Sequence, residues 1–203
     1  MSEPAPEPGR PLPAYSASGA EPGGVTVLAG PTSVGKSTLS RYIRSAYPQV
    51  HFSVSATTRA ARPGEVEGED YLFIGAEEFD RLIQQEAFLE WATVHGVHRY
   101  GTLRSTVERA TGQGKQVLLE IDLQGARQVR QTMPDAQFVF LAPPSWDDLV
   151  SRLTGRGTES EEEQQRRLES AKIELAAEPE FDVTITNDQV ERAAAELVAR
   201  MGF

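Results

Sequence analysis

The chain has 203 residues, 39% of them hydrophobic and 25% charged, with a formal net charge of -10 and no cysteine. That length suits one domain with a real core and is short for two. No apolar run nears the roughly 18 residues of a membrane span, the N-terminus lacks a secretory pattern, and the missing cysteines exclude disulfides and thiolate metal sites, which fits a reducing cytoplasm.

An acidic excess of this size disfavours binding to nucleic acid or to anionic membranes. It leaves room for a local basic pocket. Of the 20 basic residues only Lys36, Lys115 and Lys172 are lysines, and the rest are arginines. Arginine grips phosphate with a rigid bidentate fork, so where the arginines cluster matters more than their total.

Residues 1–24 are rich in Pro, Ala, Gly, Ser and Glu and poor in large apolar residues. The composition predicts a disordered tail, because it buries too little surface to offset its ordering entropy. Val25 to Ala29 then reads as a buried strand. After a Gly-rich turn, Leu39, Tyr42, Ile43 and Ala46 recur at helical spacing until Pro48. Val117 to Ile121 and Phe138 to Leu141 are two further buried strands, residues 184–186 an edge strand, and Gln189 to Met201 a closing helix. Strands alternating with helices predict an α/β fold with a mainly parallel sheet. Residues 51–103 differ in texture, being aromatic, Gly-punctuated and arginine-bearing. They read as an inserted subdomain. Residues 146–177 are charged and helical, with a Gly-Arg-Gly break at 155–157.

Gly30-Pro31-Thr32-Ser33-Val34-Gly35-Lys36-Ser37 fits G-x-x-x-x-G-K-[ST], between a strand and a helix that continues with Thr38. The glycines let backbone amides converge on phosphate oxygens, and the helix N-terminus faces the same anion. Lys36 reaches the terminal phosphates, and the Ser37 hydroxyl suits Mg²⁺. The cofactors predicted are ATP and Mg²⁺. Glu120 and Asp122 end the next buried strand, where acids hold the metal or its waters, or where one of them caps the following helix.

Two arginines, Arg59 and Arg62, follow a Ser/Thr cluster and suit a second anion. Gly68-Glu69-Asp70-Tyr71, Phe88-Leu89-Glu90-Trp91-Ala92 and Tyr100-Gly101-Thr102 add phenols, a carboxylate and a hydroxyl. Blander readings stand beside these: Arg62 as a turn residue before Pro63, Glu90 as a solvated helix-end acid, and the run from Glu159 to Glu169 as a solvated face of paired charges. His51, His95 and His98 have no metal spacing and read as structural.

Taken together, S-x-T-T-R-x-x-R-P-G-E, F-L-E-W-A, Y-G-T, I-D-x-Q-G-A, A-P-P-S and G-R-G-T-E give residues 25–202 a resemblance to the guanylate kinases. The resemblance implies a three-layer phosphate-loop NTPase fold. Its core would be 25–50, 104–145 and 178–203, with a GMP-binding subdomain at 51–103 and a helical lid at 146–177. It implies that Arg59, Arg62, Tyr71 and Tyr100 bind the phosphate of GMP, and that Ser55, Glu90 and Thr102 read guanine. Asp122 would lie near the base and the metal. Arg152, Arg156 and Arg167 would be lid arginines at the transferring phosphoryl group, and Asn187 would lie near adenine, with Arg156 packed on that base. The family often carries Ser followed by Gly or Ala where this chain has Thr32-Ser33, and Asp where it has Glu120. The implied activity is Mg-dependent transfer from ATP to GMP or dGMP, with closure of subdomain and lid to exclude water. The partners are small molecules, with no nucleic acid or membrane, and the chain acts as a monomer or a homo-oligomer. Two rivals are a non-catalytic phosphopeptide-binding module of the same family and a kinase acting on a ribose bisphosphate.

Overall fold

The computed structural model describes residues 23–94, 97–154 and 161–203. The proposed tail lies outside them except for Gly23 and Gly24. These two are tied to the core through Gly23 N–H to Thr111 O at 2.8 Å and Gly24 N–H to Gln116 Oε1 at 2.8 Å. Arg156 and the Gly-Arg-Gly break also lie outside.

Strand β1 (Val25–Ala29) leads through the glycine loop into α1 (Lys36–Ala46) and then β2 (His51–Phe52). Next come β3 (Ala56–Thr57), β4 (Leu72–Phe73), α2 (Ala76–Gln84), β5 (Phe88–Val94) and β6 (His98–Leu103). The chain then returns through α3 (Arg104–Gly112), β7 (Val117–Glu120), α4 (Leu123–Thr132) and β8 (Gln137–Ala142). It finishes with α5 (Trp146–Thr154), α6 (Glu161–Ala176), β9 (Val183–Thr186) and α7 (Val190–Arg200).

The main sheet has the order β2-β7-β1-β8-β9, and every pairing in it is parallel. Its central strands β1, β7 and β8 are mostly apolar and buried because both faces are covered. Alternation sorts the side chains between two layers. Leu28, Leu118 and Val139 point to α1, α5 and α7, where they meet Leu39, Ile43, Leu149 and Leu197. Val27, Leu119 and Phe138 point to α3 and α4, where they meet Val107, Ala126 and Val129. Fully burying one such side chain contributes roughly 1.5–3 kcal/mol. This shared burial fixes β1 as the centre of the sheet.

A second sheet, β4-β3-β6-β5, carries Glu90, Tyr100 and Thr102 and packs Ala56 and Phe88 on Phe79 of α2. Leu89 carries β5 into the main core. Gln128 of α4 exchanges two hydrogen bonds with the Trp91 backbone, each 3.0 Å, as a neighbouring strand would. The register Glu90↔Thr102 puts those two side chains on one face, across the ladder from each other.

Candidate active site

In open parallel sheets ligands bind beyond the carboxyl ends of the strands. The loop 30–35 leaves β1 there, flanked by β7 and β8. Gly35 has φ 104°, and a Cβ added to it would stand 2.6 Å from Asn187 Nδ2, so only glycine lets the loop close. Ser33 also has φ 65°, in the left-handed region. That conformation strains a serine and would suit glycine. Val34 is fully buried and anchors the loop. Its carbonyl accepts from Arg152 Nη1 at 2.9 Å and from Asn187 Nδ2 at 2.9 Å. Arg152 Nη2 reaches Asn187 O at 3.3 Å. Arg152 and Asn187 therefore brace the loop as well as lining the cavity beside it.

That cavity, about 480 Å³, is lined by Thr32, Gly35, Lys36, Thr38, Arg167 and Asn187, among others. Lys36 Nζ folds back onto Gly30 O at 2.6 Å and Pro31 O at 3.2 Å. Burial pushes its pKa down, and the charges of Glu174, Glu120 and Asp122 oppose that shift. Arg167 Nη2 lies 3.3 Å from Ser33 Oγ. Ser37 Oγ donates to Glu120 Oε1 at 3.1 Å. Glu120 thus stands at the loop despite its longer side chain.

A second cavity of about 270 Å³ opens between the sheets, lined by Ser37, Glu120, Ser55, Tyr71, Thr102 and Arg44, among others. Arg59 and Tyr100 stand behind Tyr71. Arg59 Nε donates to Tyr100 OH at 3.1 Å, its guanidinium lies 5.3 Å from the Tyr71 ring centre, and the two tyrosine rings meet edge-on at 5.8 Å. The Arg59 fork is spent on Glu65 at 2.8 and 2.9 Å. The Arg59 fork, then the Arg62 N–H at 2.7 Å, hold the Glu65 carboxyl down to about 2. The Arg62 side chain is exposed and takes no part in the cavity wall.

Glu90 lies on β5, not at a helix end, and is 8% exposed. Thr102 Oγ1 donates to its Oε1 at 2.6 Å. Burial pushes this carboxyl up and the Asp122 charge adds to that, against the Thr102 hydrogen bond. Asp122 also caps α4, its Oδ1 accepting from Gly125 N at 2.7 Å. Both carboxylates crowd Gly125, where a Cβ would stand 3.1 Å from Glu90 Oε2 and 3.3 Å from Asp122 Oδ1. Glycine at 125 keeps that space open. Asp122→Ala is expected to cost about 1 kcal/mol of stability through the lost cap, while Asp122→Asn keeps the cap. Urea denaturation of the two variants tests the cap. Equal losses of turnover in both would identify a separate need for the charge.

Three side chains here make contacts that the sequence reading does not assign. Glu65 closes the Pro-Gly turn onto Arg59. Arg44, two turns past Ser37 on α1, stands 3.8 Å over the Phe52 ring and is the one basic residue among the described residues lining the acceptor cavity. Glu174, two turns past Arg167 on α6, accepts from Thr32 N–H at 2.6 Å. Helical spacing places each of the last two beside a recognised residue, but only the tertiary fold shows what it meets.

The guanylate kinase family model matches residues 23–201. A guanylate kinase of Leifsonia xyli is 59% identical over 177 residues, covering 87% of this chain and 70% of that protein. One of Streptomyces coelicolor is 59% identical over 175 residues, covering 86% and 88%. One of Mycobacterium tuberculosis is 56% identical over 178 residues, covering 87% and 86%. Among solved structures, guanylate kinase of Anaplasma phagocytophilum superposes with a TM-score of 0.65 at 32% identity, covering 90% of this chain and 86% of that one.

Proposed function

Since this chain belongs to the guanylate kinase family, we infer that it transfers the γ-phosphoryl group of ATP to GMP, giving ADP and GDP. One observation carries the reading. A single polar cavity is lined both by Ser37, which follows the glycine loop, and by Ser55, Tyr71 and Thr102. An acceptor held there faces the donor loop directly, so the phosphoryl group needs no covalent stopover on a side chain.

Both reactants are anionic, and their approach costs Coulomb energy. Lys36, the loop amides and Arg167 offset it on the donor side. Arg59, Tyr71 and Tyr100 take the acceptor phosphate, and Arg62, exposed and outside the cavity wall, joins them by swinging inward. Arg59 reaches it by giving up part of its hold on Glu65, or by binding through the Tyr100 hydroxyl it already orients. Glu90, set by Thr102, accepts from guanine N1–H and the exocyclic amine, a pair of donors that adenine lacks. Catalysis then rests on positioning and charge stabilisation.

Ser37 and Glu120 offer two hard oxygens 3.1 Å apart at the donor loop, a donor set that fits Mg²⁺. Mg²⁺ commonly takes few protein ligands and the rest from phosphate and water. When bound, the ion neutralises charge developing on the phosphates. Arg152 and Asn187 keep the loop in shape, and Asn187 borders the space for adenine. The cytoplasm, where both nucleotides circulate, is the proposed place of action, in purine nucleotide metabolism and the recycling of GMP.

The test is a coupled assay with GMP, dGMP, AMP, UMP and CMP as acceptors at saturating Mg·ATP. GMP is expected to exceed AMP by about 10⁴-fold in kcat/KM, the discrimination a hydrogen-bonding site attains. Comparable rates with AMP would overturn the assignment of the base site.

A further inference from the structure

Helix α6 rests on the donor loop through side chains of one face. At its C-terminal end the Glu174 carboxylate accepts from Thr32 N–H at 2.6 Å and from Thr32 Oγ1 at 3.4 Å. Ser170 Oγ, one turn back, donates to Glu174 Oε1 at 3.4 Å. One turn further back, Arg167 Nη2 meets Ser33 Oγ at 3.3 Å. Spacings of three and four residues put these groups in a row. Ala171, on the same helix, is fully buried in the main core cluster, and α6 packs along α5. Lys172 packs on Trp146 with its Nζ 5.5 Å from the ring centre. The helix is therefore fixed in roll by its core contacts and fixed on the loop by Glu174.

A backbone amide bonded to a carboxylate makes a charge-assisted contact, roughly twice as strong as a neutral one. It is also an unexpected partner beside a site for a polyphosphate, since a second anion there repels the donor unless its charge is committed. Here it is committed. The acid binds the amide and hydroxyl of Thr32, at the outer end of the loop, and lies close enough to Lys36 to support its positive charge.

We propose that Glu174 is a positioning residue for phosphoryl transfer: by tying α6 to Thr32 it sets where Arg167 meets the donor loop. The proposal rests on the reading of Arg167 as the arginine that meets the transferring group. The two residues act as one unit, so a loss at Glu174 is felt as a misplaced Arg167. A misplacement of about 1 Å can cost on the order of 10²-fold in rate.

The experiment is a double-mutant cycle on the full chain, with kcat measured at saturating Mg·ATP and GMP. Glu174→Ala is expected to lower kcat about 10- to 100-fold with KM for GMP within about twofold. In the Arg167→Ala background the same change is expected to add less than about threefold, because coupled residues are not additive. Glu174→Gln keeps an oxygen acceptor for the Thr32 N–H and is expected to restore most of kcat, a rescue that a mere loss of stability would not produce. Thermal melts of each variant identify any that fail to fold, and Glu174→Met, which keeps the length of the side chain without an acceptor, then carries the cycle. Additive losses beside a large Arg167→Ala defect would overturn the tether and leave Arg167 in its role. A wild-type kcat in Arg167→Ala would remove both.

Discussion

Lys36→Ala is expected to cut turnover by about 10³-fold or more, the scale of a lost cation at a transferring phosphoryl group, while GMP binding stays within about threefold. The asymmetry follows from where the ammonium sits. In the structure Nζ is folded onto Gly30 O and Pro31 O, inside the loop that faces the donor phosphates. It lines the donor cavity and takes no part in the acceptor wall. Burial disfavours its charge, and Glu174, Glu120 and Asp122 oppose that penalty. The cation is thus held ready in a low-dielectric setting, where it is worth most to a developing negative charge. Arginine is expected to rescue little, because its planar fork is bulkier than the compact ammonium bedded between two carbonyls. The measurement is kcat by a coupled assay beside GMP affinity by calorimetry. Turnover within about tenfold of wild type would refute the role.

Much of this arrangement is legible in local sequence because local physics dictates it. The runs at Val25, Val117 and Phe138 are apolar on both faces, so they read as central strands, and they are. The glycine loop is readable because its spacing and its context restrict the backbone together. What escapes the sequence is set by partners distant in the chain. Strands β2, β3 and β4 are two residues each, too short for any periodicity, and they exist only because β6 and β7 pair with β3 and β2 and β4 pairs with β3. Glu90 looks like a surface acid beside Trp91, yet the pairing with Thr102 and the packing of α4 bury it. Arg59 reads as an open phosphate ligand, whereas its fork is already bonded to Glu65. Arg152 and Asn187 read as groups for ATP, whereas both also brace Val34 O. In each case the residue type is readable and its hydrogen-bond partner is not, because satisfying buried polar groups is a tertiary matter.

The reading of Glu90 leads to an expected gain and an expected loss in one substitution. Glu90→Gln should lower kcat/KM for GMP by about 10³-fold and contract the GMP-over-AMP ratio by a similar factor, out of the roughly 10⁴–10⁵ such sites reach. The glutamine amide replaces one acceptor with a donor. It opposes one of guanine's two donors and complements adenine, which presents one acceptor and one donor. The same change should raise stability at neutral pH. Burial and the Asp122 charge hold the Glu90 carboxyl above its usual range. A carboxyl with a folded pKa above its unfolded value favours the fold least when ionised. Its cost is absent below the unfolded value, about 4.3, grows as pH rises towards the folded value, and is complete beyond it. Melting temperatures of the two proteins should therefore converge near pH 4 and separate at pH 8, with Glu90→Gln the more stable. Guanine takes the ionised form, so GMP affinity of the wild type should fall as pH drops through that raised value. In Glu90→Gln this pH dependence should vanish. An unaltered preference for GMP over AMP in the variant would remove Glu90 from the base site, whatever its effect on stability.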